Sequence, residues 1–330
     1  MFLHHRFTSS AFPKAELFFV CFLQSIDENN TTEQRRQNTY SDRLFYFSSF
    51  MMMSKKLKCL ALFTAVFFAI PMTACQSFSQ QKQQFSTQKN EQQQISSLFQ
   101  SAQTSGVLMI YDGKKIQSYG NDLDRAEQRY IPASTFKMLN ALIGIQHHKT
   151  TPDEVFKWDG KKRAFSSWEK DLTLAEAMQA SAVPVYQELA RRIGLELMTR
   201  EVKRVGYGNK NIGTQVDNFW LVGPLKITPI EEVRFAYALA KQKLPFDQPT
   251  QQQVKAMLLV DQIQGTKIYA KSGWGMDVSP QVGWWTGWIE QPNGKITAFS
   301  LNMQMSQPEH ADARKVIVYQ ALQELGLLAH

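Results

Sequence analysis

The sequence predicts an α+β fold in which one antiparallel sheet is flanked by helices and interrupted by an inserted helical region. Three observations carry this reading. Val107-Leu108-Met109-Ile110-Tyr111, then Asp112-Gly113, then residues 114–119 form strand, turn and strand, because Asp-Gly between two β-forming runs favours a tight hairpin turn. From about residue 150 to 262 apolar residues recur at helical spacing between Gly and Pro loops. β-Branched and aromatic runs return at 266–271, 281–289 and 296–303, joined by short turns, and a closing helix follows over 312–325.

The first 75 of the 330 residues do not read as fold. Residues 1–50 show no sustained period. Met53-Ser54-Lys55-Lys56-Leu57-Lys58 is a basic start, residues 59–70 are apolar but short for a bilayer, and Met72-Thr73-Ala74-Cys75 is a small-residue junction. Together they have the three parts of a secretory signal peptide, placed at 53–75. Translation is then expected to begin at one of Met51, Met52 or Met53, leaving 1–52 as a spurious extension. The alternative is a genuine extension with residues 59–72 as a membrane anchor. Cys75 after Thr73-Ala74 also resembles the lipid-acceptor cysteine of a bacterial lipoprotein, although Met72 is unusual three residues before it. The expected location is the periplasm, free or on an outer-membrane lipid anchor.

Cys21, Cys59 and Cys75 all lie in this leader, so the folded part relies on its core rather than on disulfides. Lys and Arg number 37 against 29 Asp and Glu, a spread-out net charge of +8 with no basic run interleaved with aromatics, so nucleic acid is not an expected partner. Residues 76–97 are rich in Gln and poor in apolar side chains, the composition of a flexible tether. The catalytic domain is placed at 98–330. Within it helices are predicted over 172–180, 184–192, 196–205, 229–241 and 250–262. In the closing helix Val316, Tyr319, Ala321, Leu322 and Leu325 form an apolar stripe that can cover the sheet.

Chemistry concentrates at Ile131-Pro132-Ala133-Ser134-Thr135-Phe136-Lys137. Pro132 suits the first turn of a helix, and the apolar run from Phe136 to Ile145 marks that helix as buried on nearly every side. Ser134 and Lys137, three residues apart, share a face at roughly 5–6 Å between Cβ atoms. A serine hydroxyl needs a neighbouring base. Lysine serves only if burial or modification removes its charge. Ser-x-x-Lys alone is also compatible with a helix cap and a solvated lysine. Ser181, before Val183 and Pro184, sits in a loop that can face a cleft. Lys271-Ser272-Gly273 closes a strand, and Gly273 lets a ligand run close along its edge.

In this order and span, Ser134-x-x-Lys137, Ser181-x-Val183, Tyr207-Gly208-Asn209 and Lys271-Ser272-Gly273 resemble the motif set of the class D β-lactamases, the oxacillinases. Trp220-Leu221-Val222-Gly223 and Arg314 match the same family, and the resemblance covers roughly residues 98–328. It implies the β-lactamase/penicillin-binding transpeptidase-like fold and hydrolysis of β-lactam antibiotics. Ser134 would be the nucleophile, and Lys137, carbamylated to N6-carboxylysine, the base for both half-reactions. Carbon dioxide or bicarbonate would be required, with no other cofactor and no metal. Phe136, Val183, Trp220 and Leu221 would wall the carbamate pocket, with the Trp220 N–H as its donor.

The resemblance further implies an oxyanion hole from the backbone N–H groups of Ser134 and Trp274, and a proton relay from Ser181 with Lys271. Lys271, Ser272 and Arg314 would hold the drug's carboxylate, with Tyr207 and Gly273 also lining the substrate site. Phe165 and Met276 occupy places that in carbapenem-hydrolysing oxacillinases bridge the cleft. The nearest rival is a penicillin-binding transpeptidase or β-lactam sensor domain that acylates without turnover. A more distant one is a non-catalytic lipoprotein that binds envelope partners through the tryptophan-rich 281–289 strand. Adjacent His147 and His148 point in different directions and lack partners at metal-ligand spacing, so they read as helix-end residues.

Overall fold

The computed structural model describes residues 70–330, with side chains of the first helix described at 83 and from 86 onward. The expectations for the extension, the translation start and the signal peptide fall outside the described residues, as does the Cys75 side chain. Eight strands and eight helices are described: α1 (Ile70–Ser101), β1 (Gly106–Tyr111), β2 (Ile116–Gly120), α2 (Lys137–Gln146), β3 (Val155–Phe156), β4 (Leu172–Thr173), α3 (Leu174–Gln179), α4 (Val183–Ile193), α5 (Leu195–Val205), α6 (Pro229–Ala240), α7 (Gln248–Met257), β5 (Leu259–Ile263), β6 (Thr266–Gly275), β7 (Gln281–Glu290), β8 (Ile296–Met305) and α8 (His310–Glu324).

Six strands form one antiparallel sheet in the order β2-β1-β8-β7-β6-β5. Chain-terminal segments thus meet mid-sheet, and β2 to β5 bracket the inserted helices. Both faces of the sheet are covered, so the strands alternate between two apolar clusters. Leu108, Ile110, Phe299 and Leu301 pack with Ile95 and Phe99 of α1 and with Ile317, Val318, Ala321 and Leu322 of α8. Val107, Met109, Trp284 and Trp288 face the helical region and pack with Phe136, Leu139 and Trp220. Capping boxes Thr173/Glu176 and Thr228/Glu231 start α3 and α6, each satisfying two first-turn N–H groups.

The structure corrects four expectations. Residues 76–97 are helical, as part of α1, rather than a flexible tether. Glutamine is a good helix former, and Ile95 and Phe99, four apart and fully buried, anchor the helix on the sheet. Gln92 Nε2 adds a bond to the Gly120 carbonyl at 2.8 Å, so the packed domain begins before residue 98. The helix expected over 250–262 ends at Met257, and β5 pairs with β6 from Leu259↔Tyr269 to Ile263↔Thr266. No Gly or Pro separates them. The helix expected from 172 begins at Leu174, since Leu172 and Thr173 pair with Phe156 and Val155. In α8 Val316 is exposed, and the buried face is Arg314, Ile317, Val318, Ala321 and Leu322.

Candidate active site

The centre is a 3₁₀ turn, Ala133–Phe136, leading into α2. Ala133 takes the left-handed conformation at φ +49°, which costs a residue with a Cβ ~1–2 kcal/mol. Its N–H donates to the Trp220 carbonyl at 2.9 Å, one of the contacts that hold the strained turn. Every residue from Lys137 to Ile145 is buried, so this helix passes through the core and delivers Lys137 there. Lys137 Nζ and Ser134 Oγ lie 2.6 Å apart. The amine has no exposure and stands 5.6 Å from the centre of the Tyr186 ring. Burial, with the Lys271 charge adding to it, holds its pKa well below the lysine range. A neutral amine can accept the serine proton.

The wall beside it is aromatic. Phe136 stacks on Trp220 at 5.4 Å and meets Phe219 edge-on at 4.9 Å. All three are fully buried, while Val183 and Leu221 are half-buried. Trp220 Nε1 is buried and has no hydrogen-bond partner among the described residues. An orphaned donor of this kind costs about 1–3 kcal/mol unless an acceptor arrives.

From the sheet, Lys271 Nζ donates to Ser181 Oγ and to the Ser272 carbonyl, both at 2.9 Å, and reaches Ser272 Oγ at 3.4 Å. Ser181 takes φ +54°, and the carbonyl of Ala180 before it accepts from Trp168 Nε1 at 2.9 Å. Burial, aided by the nearby Arg314 charge, brings Lys271 down to about 7. Arg314 donates through Nη1 to the Gly273 carbonyl and through Nε to the Ala311 carbonyl, and lies 5.7 Å from the Trp274 ring centre. Burial lowers it to about 10, still charged at neutral pH. It therefore keeps donors for an anion beside the β6 edge.

That edge is open. β5 pairs with β6 only as far as Tyr269, so among the described residues no strand covers residues 271–275 on that side. An extended ligand could add there through backbone hydrogen bonds. Gly273 brings the edge against the nucleophile turn: a Cβ there would stand 3.0 Å from the Pro132 carbonyl oxygen and 3.2 Å from Trp284 Cβ. Trp284 Nε1 donates to the Ile131 carbonyl at 2.9 Å, fixing the same approach from the far side of the strand.

The structure thus brings together Ser134, Lys137, Ser181, Lys271, Ser272, Gly273, Trp274 and Arg314. Tyr207 is a correction. It was expected to line the substrate site, but it is 2% exposed and donates to Glu232 Oε2 at 2.8 Å, behind the Phe136 ring. Its partner lies 25 residues away on α6, which no local pattern announces. Phe165 and Met276 are exposed at 41% and 42%, and Phe165 packs on Trp168 with centroids 4.8 Å apart. Tyr186, Thr135 and Glu232 were not singled out in the sequence. Tyr186 and Glu232 sat unremarked in predicted helices, and Thr135 stands beside Ser134 in the motif that was read. His147 stands 3.5 Å from Glu201, and no group of three metal-binding side chains occurs among the described residues.

A serine hydrogen-bonded to a buried lysine at the start of a buried helix, facing an open strand edge with Lys-Ser-Gly, defines a serine enzyme of the penicillin-recognising fold. Residues 85–323 match the penicillin binding protein transpeptidase domain. The chain is 36% identical over 234 residues to β-lactamase OXA-10 of Pseudomonas aeruginosa, covering 70% of this chain and 88% of that one. It is also 36% identical over 227 residues to OXA-48 of Klebsiella pneumoniae, covering 68% and 85%. The solved structure of FUS-1 (OXA-85), a class D β-lactamase from Fusobacterium nucleatum subsp. polymorphum, superposes with a TM-score of 0.68 at 35% identity, covering 71% and 98% of the two chains. The chain belongs to the class D β-lactamases, serine hydrolases of β-lactams.

Proposed function

We propose that this chain opens the β-lactam ring of penicillins, and of carbapenems, through an acyl-enzyme on Ser134, and so confers antibiotic resistance. The observation that carries the reading is the 2.6 Å approach of Ser134 Oγ to an amine with no solvent exposure. Lys137 would take the serine proton as Oγ attacks the lactam carbonyl. Backbone N–H groups of Ser134 and Trp274 would receive the developing oxyanion, donors worth ~3–4 kcal/mol each when aimed at it. Ser181, bonded to Lys271, would pass a proton to the departing nitrogen. Lys271, Ser272 and Arg314 would anchor the drug's carboxylate.

Carbon dioxide added to the neutral Lys137 amine would supply a carbamate oxygen as the general base, for attack by serine and then by water. Two features favour carbamylation. Burial favours the neutral amine, and Trp220 Nε1 is a buried donor in want of an acceptor. Phe165 and Met276 would form the apolar bridge over a carbapenem. For residues 53–75 we propose export to the periplasm, with Cys75 as the acceptor if a lipid is attached.

Turnover of nitrocefin and imipenem tests this reading. Wild type should turn over both in added bicarbonate and Ser134→Ala neither, while Phe165→Ala/Met276→Ala should lose imipenem turnover selectively. A long-lived adduct without turnover would instead assign the chain to acylating sensors or transpeptidases.

A further inference from the structure

Behind the nucleophile lies a buried acid that the proposed chemistry does not use. Glu232, on α6, has no exposed surface. Its Oε2 accepts from the Tyr207 hydroxyl at 2.8 Å, and the Thr135 hydroxyl is the other hydrogen-bonding group beside its carboxyl. Thr135 has a single hydroxyl hydrogen and gives it to the Pro132 carbonyl at 2.9 Å, so it has none left for Glu232. Glu232 Oε1 is accordingly buried with no donor. A carboxylate there would hold an unmet oxygen and an unpaired charge in an apolar interior, a costly arrangement. The neutral acid removes both faults: it carries no charge, and its O–H would turn to the Thr135 hydroxyl while its other oxygen accepts from Tyr207.

We infer that Glu232 is a protonated positioning residue, the centre of a hydrogen-bond chain from Tyr207 through Glu232 and Thr135 to the Pro132 carbonyl that sets the Ser134 turn from behind. The inference rests on Ser134 being the nucleophile. Thr135 lies between Ser134 and Phe136, and the Pro132 carbonyl accepts both its hydroxyl and its N–H, the latter at 3.2 Å. The same carbonyl is the surface against which Gly273 packs. Tyr207 meets the Phe136 ring at 5.7 Å, so the chain grips the turn and the aromatic wall together.

The surroundings favour the neutral form. Burial raises Glu232 to about 7 against the opposing pull of the Thr135 and Tyr207 hydroxyls, and Glu231 on the same helix adds a smaller rise. Glu231 is itself paired with Arg129 at 2.6 Å. Tyr207, from the loop after α5, keeps its proton because it is buried against Glu232. Arg125, from the turn packed on α6, is bonded to Asn302, and Lys137 is bonded to Ser134. Among the described residues no cation pairs with Glu232.

The test combines infrared difference spectroscopy of wild type against Glu232→Gln at mildly acidic pH with stopped-flow acylation of wild type, Glu232→Gln and Glu232→Leu by nitrocefin. Wild type should show the carbonyl stretch of a protonated carboxylic acid, absent from Glu232→Gln. Glutamine can accept from Tyr207 and donate to Thr135, so it should acylate near the wild-type rate. Leucine does neither and should acylate about 10²-fold more slowly, the cost of a misplaced nucleophile.

Absence of the band, or a Glu232→Gln rate as low as that of Glu232→Leu, overturns the inference; both readouts stand even if the leucine variant does not fold. A folded Glu232→Leu that acylates Ser134 at the wild-type rate overturns it alone. Nitrocefin turnover by Ser134→Ala at the wild-type rate overturns the nucleophile assignment and this inference with it.

Discussion

Lys271 Nζ lies 2.9 Å from Ser181 Oγ and joins the sheet to the loop ahead of α4 across 90 residues of sequence. A β6 residue and a loop serine are thereby joined by a hydrogen bond beside the open edge of β6. Ser181→Ala should leave the Ser134–Lys137 pair in place and slow acylation by about 10²–10⁴, the usual worth of a positioned proton donor. Single-turnover kinetics with a penicillin measure it. A loss below tenfold would remove Ser181 from the relay.

Gly273→Ala tests the approach of β6 to the nucleophile. The added Cβ would press on the Pro132 carbonyl oxygen at 3.0 Å and on Trp284, itself fully buried and bonded to Ile131. Neither can yield without moving the turn. Overpacking of this kind costs about 1–3 kcal/mol, so a lowered urea midpoint is expected together with slower acylation. Unchanged stability and rate would show that the strand can shift freely.

Lys271 gives stability a particular pH dependence. Burial lowers it from the usual lysine value of 10.5 to about 7. Between those two values the folded protein carries the neutral amine and the unfolded chain the charged one, so unfolding takes up a proton and stability rises with pH. Below about 7 both forms are charged and the full cost of burying the charge remains. Lys271→Met should therefore be stabilised relative to wild type most at acidic pH, with the gap narrowing as pH rises toward the upper value. Urea titrations of both proteins across that range check the sign, and a gap that widens with pH would contradict it.

Trp220→Phe removes a donor that has no partner in the folded chain, so thermal stability should hold. If Nε1 serves a carbamate on Lys137, the bicarbonate concentration giving half-maximal turnover should rise about ten- to a hundredfold, the worth of one hydrogen bond to a charged acceptor. An unaltered bicarbonate requirement would leave Trp220 as wall alone.

Much of this site was legible in sequence because its chemistry is local. Ser134 and Lys137 are one helical turn apart, and helical geometry alone brings them together. Lys271, Ser272 and Gly273 mark the strand by composition, although β6 does not close there but runs on to Gly275. What escaped depends on distant partners or on phase. Tyr207 looked like a loop residue available to ligand, and only Glu232 explains its burial. The 76–97 stretch lacked apolar content, while the two residues that pin it, Ile95 and Phe99, stand in its last turn and just beyond it. Residues 259–263 continue the apolar run of α7 without a breaker, so the edge strand passed as helix. In α8 the stripe was misplaced by one residue at Val316, enough to turn a side chain from core to solvent.

The central claim is that burial strips Lys137 of its proton and lets it take up carbon dioxide as the working base. Carbon-13 NMR of the enzyme in labelled bicarbonate, run beside turnover on the same samples, tests it most directly. The account predicts one protein-bound carbamate signal, absent from Lys137→Ala, and activity that falls when wild type is decarbonated and returns with bicarbonate. Full turnover by decarbonated wild type with no such signal would contradict it.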